Sequence, residues 1–283
     1  MARVALDAGV PLIRPEHVGE PEAVGALEAA APDVGVVVAF GQFIPKRVRE
    51  LPARGYLINA HASLLPRYRG ASPIARAILD GEEETGISVM RVEKEMDAGP
   101  VALVRRTPID PSENAAELTE RLAGLAADAL SEALDRIEDG SVTWTEQDAA
   151  RATLAPKLEK ADGLLDWRAP TAEIVRRIHG LAPRPGAFTH LPGGGEAVPE
   201  VLRILRARAD CEAGAPCAAP GTVRLGRGRA EPALRIATGD GWLVALEVQR
   251  AGGKALASDA FLRGFALEDG LVLEVAAEAR TRD

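Results

Sequence analysis

The chain has 283 residues, of which 47% are hydrophobic and 27% charged, and this composition excludes collagen-like, disordered and disulfide-scaffold proteins. Its net charge of −8 excludes a generally basic coat for nucleic acid. The charge is uneven, because residues 1–150 carry 15 basic and 25 acidic side chains whereas residues 151–283 carry 19 and 17, which predicts two domains. Two cysteines, Cys211 and Cys217, favour free thiols in a reducing compartment, and no apolar run is long enough for a membrane span. We therefore expect a cytoplasmic protein without membrane contact.

The first half of the chain alternates strand and helix patterns. Residues 34–40 (VGVVVAF) are an unbroken apolar run, which predicts a strand buried on both faces of a parallel sheet. Further strands are predicted at residues 56–60, 85–92 and 101–105. Helices are predicted at residues 45–51, 72–81 and 114–140, the last with a capping box from Asn114 to Glu117 and a stop at Gly140. This alternation predicts an open α/β sheet.

The beginning of the chain departs from the usual order of such a sheet. Residues 1–9 have the pattern of a helix end capped by Gly9, and residues 11–14 predict a short strand. A doubly wound sheet normally begins with a central strand, and no pattern for one precedes residues 34–40. We therefore expect a Rossmann-like sheet that is truncated on its amino-terminal side.

The second half of the chain has a different pattern, with one predicted helix and several short predicted strands. Residues 147–160 lack a clean period and predict a linker, and residues 171–180 predict one helix. Short strand patterns follow, separated by turns rich in glycine and proline, at residues 187–191, 201–208, 222–225, 234–238 and 242–249. The residues alone leave open whether these strands form a small β-barrel or a sandwich.

Three polar residues form the strongest candidate for a catalytic site. Asn59 and His61 are two positions apart at a predicted strand end, so their side chains point to the same face. An amide beside an imidazole supplies a donor for a developing oxyanion and a group that exchanges protons near neutral pH. Asp97 lies in a turn between two predicted strands, where it can approach His61 and stabilise its charged form.

Several motifs in order along the chain resemble the 10-formyltetrahydrofolate-dependent formyltransferases. They are Asn59-x-His61, then 63–70 (SLLPRYRG), Pro73-Ile74, Glu84-Thr85-Gly86 and Asp97-x-Gly99. Motifs in the second half narrow this resemblance to the methionyl-tRNA formyltransferases: residues 158–160 (LEK), 166–167 (DW), 178–185 (IHGLAPRP), 237–241 (ATGDG) and 249–254 (QRAGGK).

The resemblance implies a domain layout and a reaction. It implies a formyltransferase catalytic domain at residues 1–145 with its amino-terminal part missing, a linker at residues 146–160, and an OB-like tRNA-contacting domain at residues 161–283. The expected reaction carries a formyl group from 10-formyltetrahydrofolate to the amino group of methionyl initiator tRNA. We expect a monomer that requires no metal ion.

The resemblance also assigns roles to individual residues. Asn59, His61 and Asp97 match the catalytic residues of the family. The expected folate-binding residues are Phe40, Gly41, Gln42, Phe43, Ile44, Ser63, Leu64, Leu65 and Pro66. The expected contacts to tRNA phosphates are Lys157, Lys160, Arg203, Arg206, Arg208 and Lys254.

Two other functions remain open from the sequence. One is formyl transfer to a nucleotide-linked amino sugar, since such enzymes share a similar two-part layout. The other is an inactive, truncated fragment that binds RNA or folate, because the expected first strands do not precede residue 34.

Overall fold

The computed structural model describes residues 2–191, 200–210, 218–226 and 234–273. Cys211 and Cys217 lie outside these residues, as does the glycine-rich stretch 193–195 between two predicted strands. The chain divides into two compact units. The first unit comprises Met1–Ala71, Gly86–Arg106 and Gly124–Ala155, and the second comprises Ser72–Thr85, Thr107–Ala123 and Pro156–Asp283. The domain bounds implied by the family resemblance stay a prediction.

A four-stranded sheet of order β1-β2-β3-β4 forms the scaffold of the first unit. Its strands are β1 (Gly35–Val37), β2 (Leu57–His61), β3 (Glu84–Arg91) and β4 (Val101–Pro108). β1 runs parallel to β2, and β2 runs antiparallel to β3. Strands are therefore present at the predicted stretches 34–40, 56–60, 85–92 and 101–105, and the open α/β sheet is confirmed.

Two sequence expectations about this sheet are wrong. Residues 34–40 do not form a strand buried on both faces, because β1 pairs with β2 alone among the described strands, and Val36 and Val38 are 44% and 52% exposed. Residues 11–14 are irregular rather than a strand. Both stretches are apolar, but an apolar pattern becomes a buried strand only where neighbouring backbone takes up its hydrogen bonds.

The described helices are α1 (Ala2–Asp7), α2 (Pro21–Ala29), α3 (Lys46–Arg49), α4 (Pro73–Asp80), α5 (Ala115–Glu138), α6 (Thr171–Leu181) and α7 (Ser258–Gly264). The helices predicted at residues 45–51, 72–81, 114–140 and 171–180 are present, and α2 and α7 are two further helices that the sequence patterns do not predict. The capping box of α5 is formed, since Asn114 Oδ1 accepts from the Glu117 backbone N–H and Glu117 Oε2 accepts from the Asn114 N–H. Within the ranges described, no helix has the length and apolar character needed to cross a membrane.

The second unit is built on an antiparallel sheet of order β5-β6-β9-β8-β7, with β10 paired to β9. Its strands are β5 (Ala187–Leu191), β6 (Glu200–Ala209), β7 (Val223–Leu225), β8 (Leu234–Ala237), β9 (Trp242–Arg250) and β10 (Leu256–Ala257). Ile174 and Ile178 of α6 share one buried core with Trp167 and with strand residues such as Leu202 and Ile236. The expected small β domain after the α/β sheet is confirmed, and its described strands form an antiparallel sheet.

The turn between β8 and β9 supports the start of α6. Asp240 Oδ1 accepts hydrogen bonds of 2.8 Å from the backbone N–H and the hydroxyl of Thr171. Both bonds lower the pKa of the Asp240 carboxyl group, and the bond from the Thr171 backbone has the larger effect. Because the native pKa lies below the unfolded one, the stabilisation is complete at neutral pH and is lost as the pH falls through the native pKa.

We expect Asp240→Ala to reduce the free energy of unfolding by about 1 kcal/mol at pH 7, since it leaves the first N–H of α6 without its cap. Urea unfolding at pH 7 and in acid measures this loss, and the difference from the wild type should shrink in acid. Glu173→Ala is the control, because Glu173 lies exposed in the same first turn. A loss at pH 7 that persists unchanged in acid would contradict the assignment to the carboxylate.

Candidate active site

The candidate site lies at the end of β2, within the first unit. Asn59 and His61 alternate with Ile58 and Ala60, so their side chains share one face of the strand. Ile58 on the opposite face is fully buried, which fixes the strand in the sheet. Asn59 remains half-buried, whereas His61 is 6% exposed.

Both ring nitrogens of His61 face acceptors. His61 Nε2 lies 2.8 Å from the backbone carbonyl oxygen of Tyr68, and Nδ1 lies 3.6 Å from Asp97 Oδ2. The structure therefore brings Asp97 to His61, as the sequence predicts. The Nε2–carbonyl distance is that of a hydrogen bond, whereas the Nδ1–carboxylate distance is that of a close electrostatic contact.

The Asp97 carboxylate has a second partner in the loop that follows β2. The Gly70 backbone N–H donates to Asp97 Oδ2 at 2.8 Å. Asp97 itself adopts a left-handed backbone with φ of 53°, and so does Tyr68 with φ of 61°. Such conformations are unfavourable for residues other than glycine and persist where surrounding contacts impose them, often at functional sites.

Hydrogen bonds within the loop and to β3 hold residues 63–70 in place. Ser63 is 1% exposed, and its hydroxyl donates to the Arg67 carbonyl at 2.6 Å. On β3, the Ser88 hydroxyl donates to the Ser63 carbonyl and accepts from the Leu65 N–H. Ser63 is thus engaged inside the loop, while Leu64, Leu65 and Pro66 are half-buried.

The segment at residues 40–44 follows β1. Val37 of β1 pairs with Asn59 of β2 in parallel register, so the segment leaves the sheet at the edge where Asn59 and His61 lie. Phe40 and Phe43 are 44% and 73% exposed. Gly41 and Gln42 are exposed too, and Ile44 is half-buried.

The side chain of Gln42 is occupied by backbone groups. Its amide nitrogen donates to the Glu16 carbonyl at 2.8 Å, and its oxygen accepts from the Val18 N–H at 3.2 Å. The segment is thereby joined to residues 16–18.

Residues 142–155, which we call the strap, contact the loop at residues 63–70. The Ala155 N–H donates to the Arg69 carbonyl at 2.7 Å, and the Arg69 N–H donates to the Thr153 carbonyl at 2.9 Å. Most of the strap lies where the sequence predicts a linker, so sequence reasoning missed its part in the site. No periodic pattern marks it, since its partners are distant in the chain.

The basic residues expected to contact tRNA lie in the second unit and differ in their surroundings. Lys157, Lys160, Arg208 and Lys254 are exposed, and Arg203 is half-buried. Arg206 is engaged instead, because it pairs with Glu117 and donates to the Ser112 carbonyl.

Two family descriptions match the chain. "Formyl transferase" matches residues 3–134, and "Formyl transferase, C-terminal domain" matches residues 157–266. The fold and the two matches together define a two-part formyl transferase.

Curated relatives show which family of formyl transferases the chain belongs to. The methionyl-tRNA formyltransferase of Sorangium cellulosum is 43% identical over 269 residues, which are 95% of this chain and 83% of that protein. Those of Methylobacterium sp. and Pelobacter propionicus are 42% and 40% identical, over 93% and 98% of this chain and 80% and 82% of those proteins. The chain belongs to the methionyl-tRNA formyltransferase family.

Solved structures share the fold at lower identity. HypX from Aquifex aeolicus, in complex with tetrahydrofolic acid, matches 84% of this chain with a TM-score of 0.64 and 23% identity, and the chain spans 40% of HypX. The N-formyltransferase from Helicobacter canadensis, in complex with folinic acid and dTDP-3-aminofucose, matches 86% of this chain and 81% of its own, with a TM-score of 0.61 and 15% identity. At these identities the likeness is one of fold.

We expect Gly70→Ala to reduce the free energy of unfolding by about 1–3 kcal/mol, because Gly70 has φ of 122° and an added Cβ would lie 2.8 Å from the Ala155 carbonyl oxygen. Gly124→Ala is the matched control, since nothing lies within 4 Å of a Cβ at this position in α5. Urea unfolding of the wild type and both variants measures the effect. A Gly70→Ala variant as stable as the wild type would contradict the close packing of loop and strap.

Proposed function

We propose that the chain transfers the formyl group of 10-formyltetrahydrofolate to the amino group of methionyl initiator tRNA. The observation that carries the proposal is the pair His61–Asp97, which lies at the end of β2 beside Asn59. Curated methionyl-tRNA formyltransferases at 40–43% identity over at least 93% of the chain support the same reaction.

In this mechanism the amine of the methionyl group attacks the formyl carbon, and the formyl oxygen gains negative charge. The Asn59 amide donates a hydrogen bond to that oxygen, and the positive charge of His61 stabilises it. Asp97 orients the imidazole and offsets its charge. The bond between the formyl carbon and N10 of the folate then breaks, and tetrahydrofolate leaves. His61 gives a proton to that nitrogen and takes one from the attacking amine.

The surroundings of residues 40–44 and 63–66 fit a folate. Phe40 and Phe43 leave aromatic surface exposed at the sheet edge of the site, and Leu64 and Leu65 are only half-buried. Flat aromatic ligands bind preferentially to such apolar and aromatic surface. Gly41, Gln42, Ile44, Ser63 and Pro66 shape the backbone of these two segments rather than supplying free polar groups.

For the tRNA, we propose phosphate contacts at the exposed basic residues of the second unit. This role suits the exposed side chains of Lys157, Lys160, Arg208 and Lys254. Arg203, which is half-buried, is the fifth candidate. Arg206 is the weakest of the six residues, since Glu117 already neutralises it. We further propose that the protein acts as a monomer in the cytoplasm.

The first test is formyl transfer by the purified protein with 10-formyltetrahydrofolate and three acceptors: methionyl initiator tRNA, methionyl elongator tRNA and a dTDP-linked amino sugar. We expect formylation of the initiator tRNA. Formylation of the amino sugar alone would favour the sugar N-formyltransferases, whose fold the chain shares. Binding of tRNA or folate without transfer would favour an inactive binding fragment.

We expect His61→Ala to reduce the rate of formyl transfer by roughly 10²–10⁴-fold, because it removes both the proton-exchanging group and its charge. His190→Ala is the control, since His190 lies on β5 of the second unit. Single-turnover rates with saturating substrates measure the effect. A His61→Ala rate within a few-fold of the wild type would remove His61 from the mechanism.

A further inference from the structure

We infer that Gln147 is a positioning residue of the active site, which keeps the Asp97 carboxylate on His61 by holding the Asp97 turn and Arg69 together. The inference rests on the proposed function, because it assigns Gln147 a part in the same reaction. All of these residues belong to the first unit.

The Gln147 amide makes four hydrogen bonds. Its nitrogen donates to the backbone carbonyls of Asp97, at 2.8 Å, and of Gly99, at 2.7 Å. Its oxygen accepts from Arg69 Nε and Nη2, at 3.1 and 2.7 Å. A primary amide has two donor hydrogens and two acceptor lone pairs, so the side chain is used to its full capacity.

These bonds close a circuit around the candidate catalytic residues. Gln147 holds the backbone of Asp97, the Asp97 carboxylate accepts from the Gly70 N–H, and Gly70 follows Arg69, whose guanidinium returns to Gln147. The same Asp97 carboxylate oxygen faces His61 Nδ1. A shift of Gln147 can therefore reach His61 on both sides of the ring, through Asp97 to Nδ1 and through Arg69 and Tyr68 to Nε2.

The strap presents Gln147 from a fixed position. On its amino-terminal side, Thr145 and Val101 exchange two backbone hydrogen bonds, of 2.8 and 2.9 Å. The neighbouring Trp144 ring lies 4.2 Å from the Arg91 guanidinium, which also lies 4.3 Å from the Tyr56 ring. Such cation–π contacts restrain the side chains involved.

On its carboxyl-terminal side the strap is joined to the loop at residues 63–70. Tyr68 donates its N–H to the Thr153 hydroxyl at 2.9 Å, and Arg69 bonds the backbone on either side of residue 154. Gln147 is thus anchored before and after its own position, and this arrangement suits a residue whose function is to hold others still.

The chemistry predicts that an amide is required. A glutamate at position 147 keeps the oxygens that accept from Arg69 but places a carboxylate against the carbonyls of Asp97 and Gly99. Gln147→Glu therefore tests the bonds to the Asp97 turn by themselves, because it retains the acceptor for Arg69 and removes both donors to the carbonyls of Asp97 and Gly99.

We expect Gln147→Glu to lower kcat for formyl transfer by roughly 10–100-fold, since small displacements of catalytic groups carry losses of this size. The KM for methionyl initiator tRNA and the thermal midpoint should stay close to the wild type. Gln147→Met, which preserves side-chain length without charge, should lose kcat as well. Gln249→Glu is the matched control, because Gln249 makes one exposed bond, to the Gly253 carbonyl.

A second measurement does not depend on activity. The ¹⁵N imidazole signals of His61, assigned with His61→Ala, should move in Gln147→Glu and stay in place in Gln249→Glu. A folded Gln147→Glu or Gln147→Met with wild-type kcat, or with unmoved His61 signals, would overturn the inference. Inactivity of the wild type in the same assay would instead refute the proposed function, and the two failures are thereby distinguished.

Discussion

The carboxylate of Asp97 joins the strand that carries His61 to the loop that follows it. One oxygen serves both the Gly70 N–H and the imidazole, so the position of the ring and the path of the loop depend on a single group. This constraint accounts for the left-handed backbone at Asp97, because the turn must aim its side chain back at the end of β2. Position 70 requires glycine for a separate reason, because its φ is 122° and an added Cβ would lie 2.8 Å from the Ala155 carbonyl oxygen of the strap.

The scaffold and the site are stabilised by different forces. In the second unit, Trp167, Ile174 and Ile236 belong to a buried apolar core that gains its free energy from exclusion of water. Around Asp97, backbone and side-chain hydrogen bonds predominate, and these contribute direction more than net stability. Small errors of geometry at such a site change activity before they unfold the protein.

Sequence reasoning located those parts of the site that local patterns record. Alternation along β2 places Asn59 and His61 on one face, and the caps at Gly81 and Asn114 fix their helices. It failed for residues 34–40, because an apolar run does not reveal how many neighbours a strand has. It also failed for Gln147, since this side chain bonds to residues 48–78 positions earlier, and no local pattern records partners at that distance.

The distance in sequence between the strap and the loop imposes an order on synthesis. Thr153 and Tyr68 are 85 positions apart, so the loop leaves the ribosome well before its partners do. Closing so long a segment costs conformational entropy that only the completed contacts repay. The loop beside His61 can therefore be fixed only after the strap has been translated, and a nascent chain stalled before residue 142 should fold in part but lack the Gln147 contacts to Asp97 and Arg69.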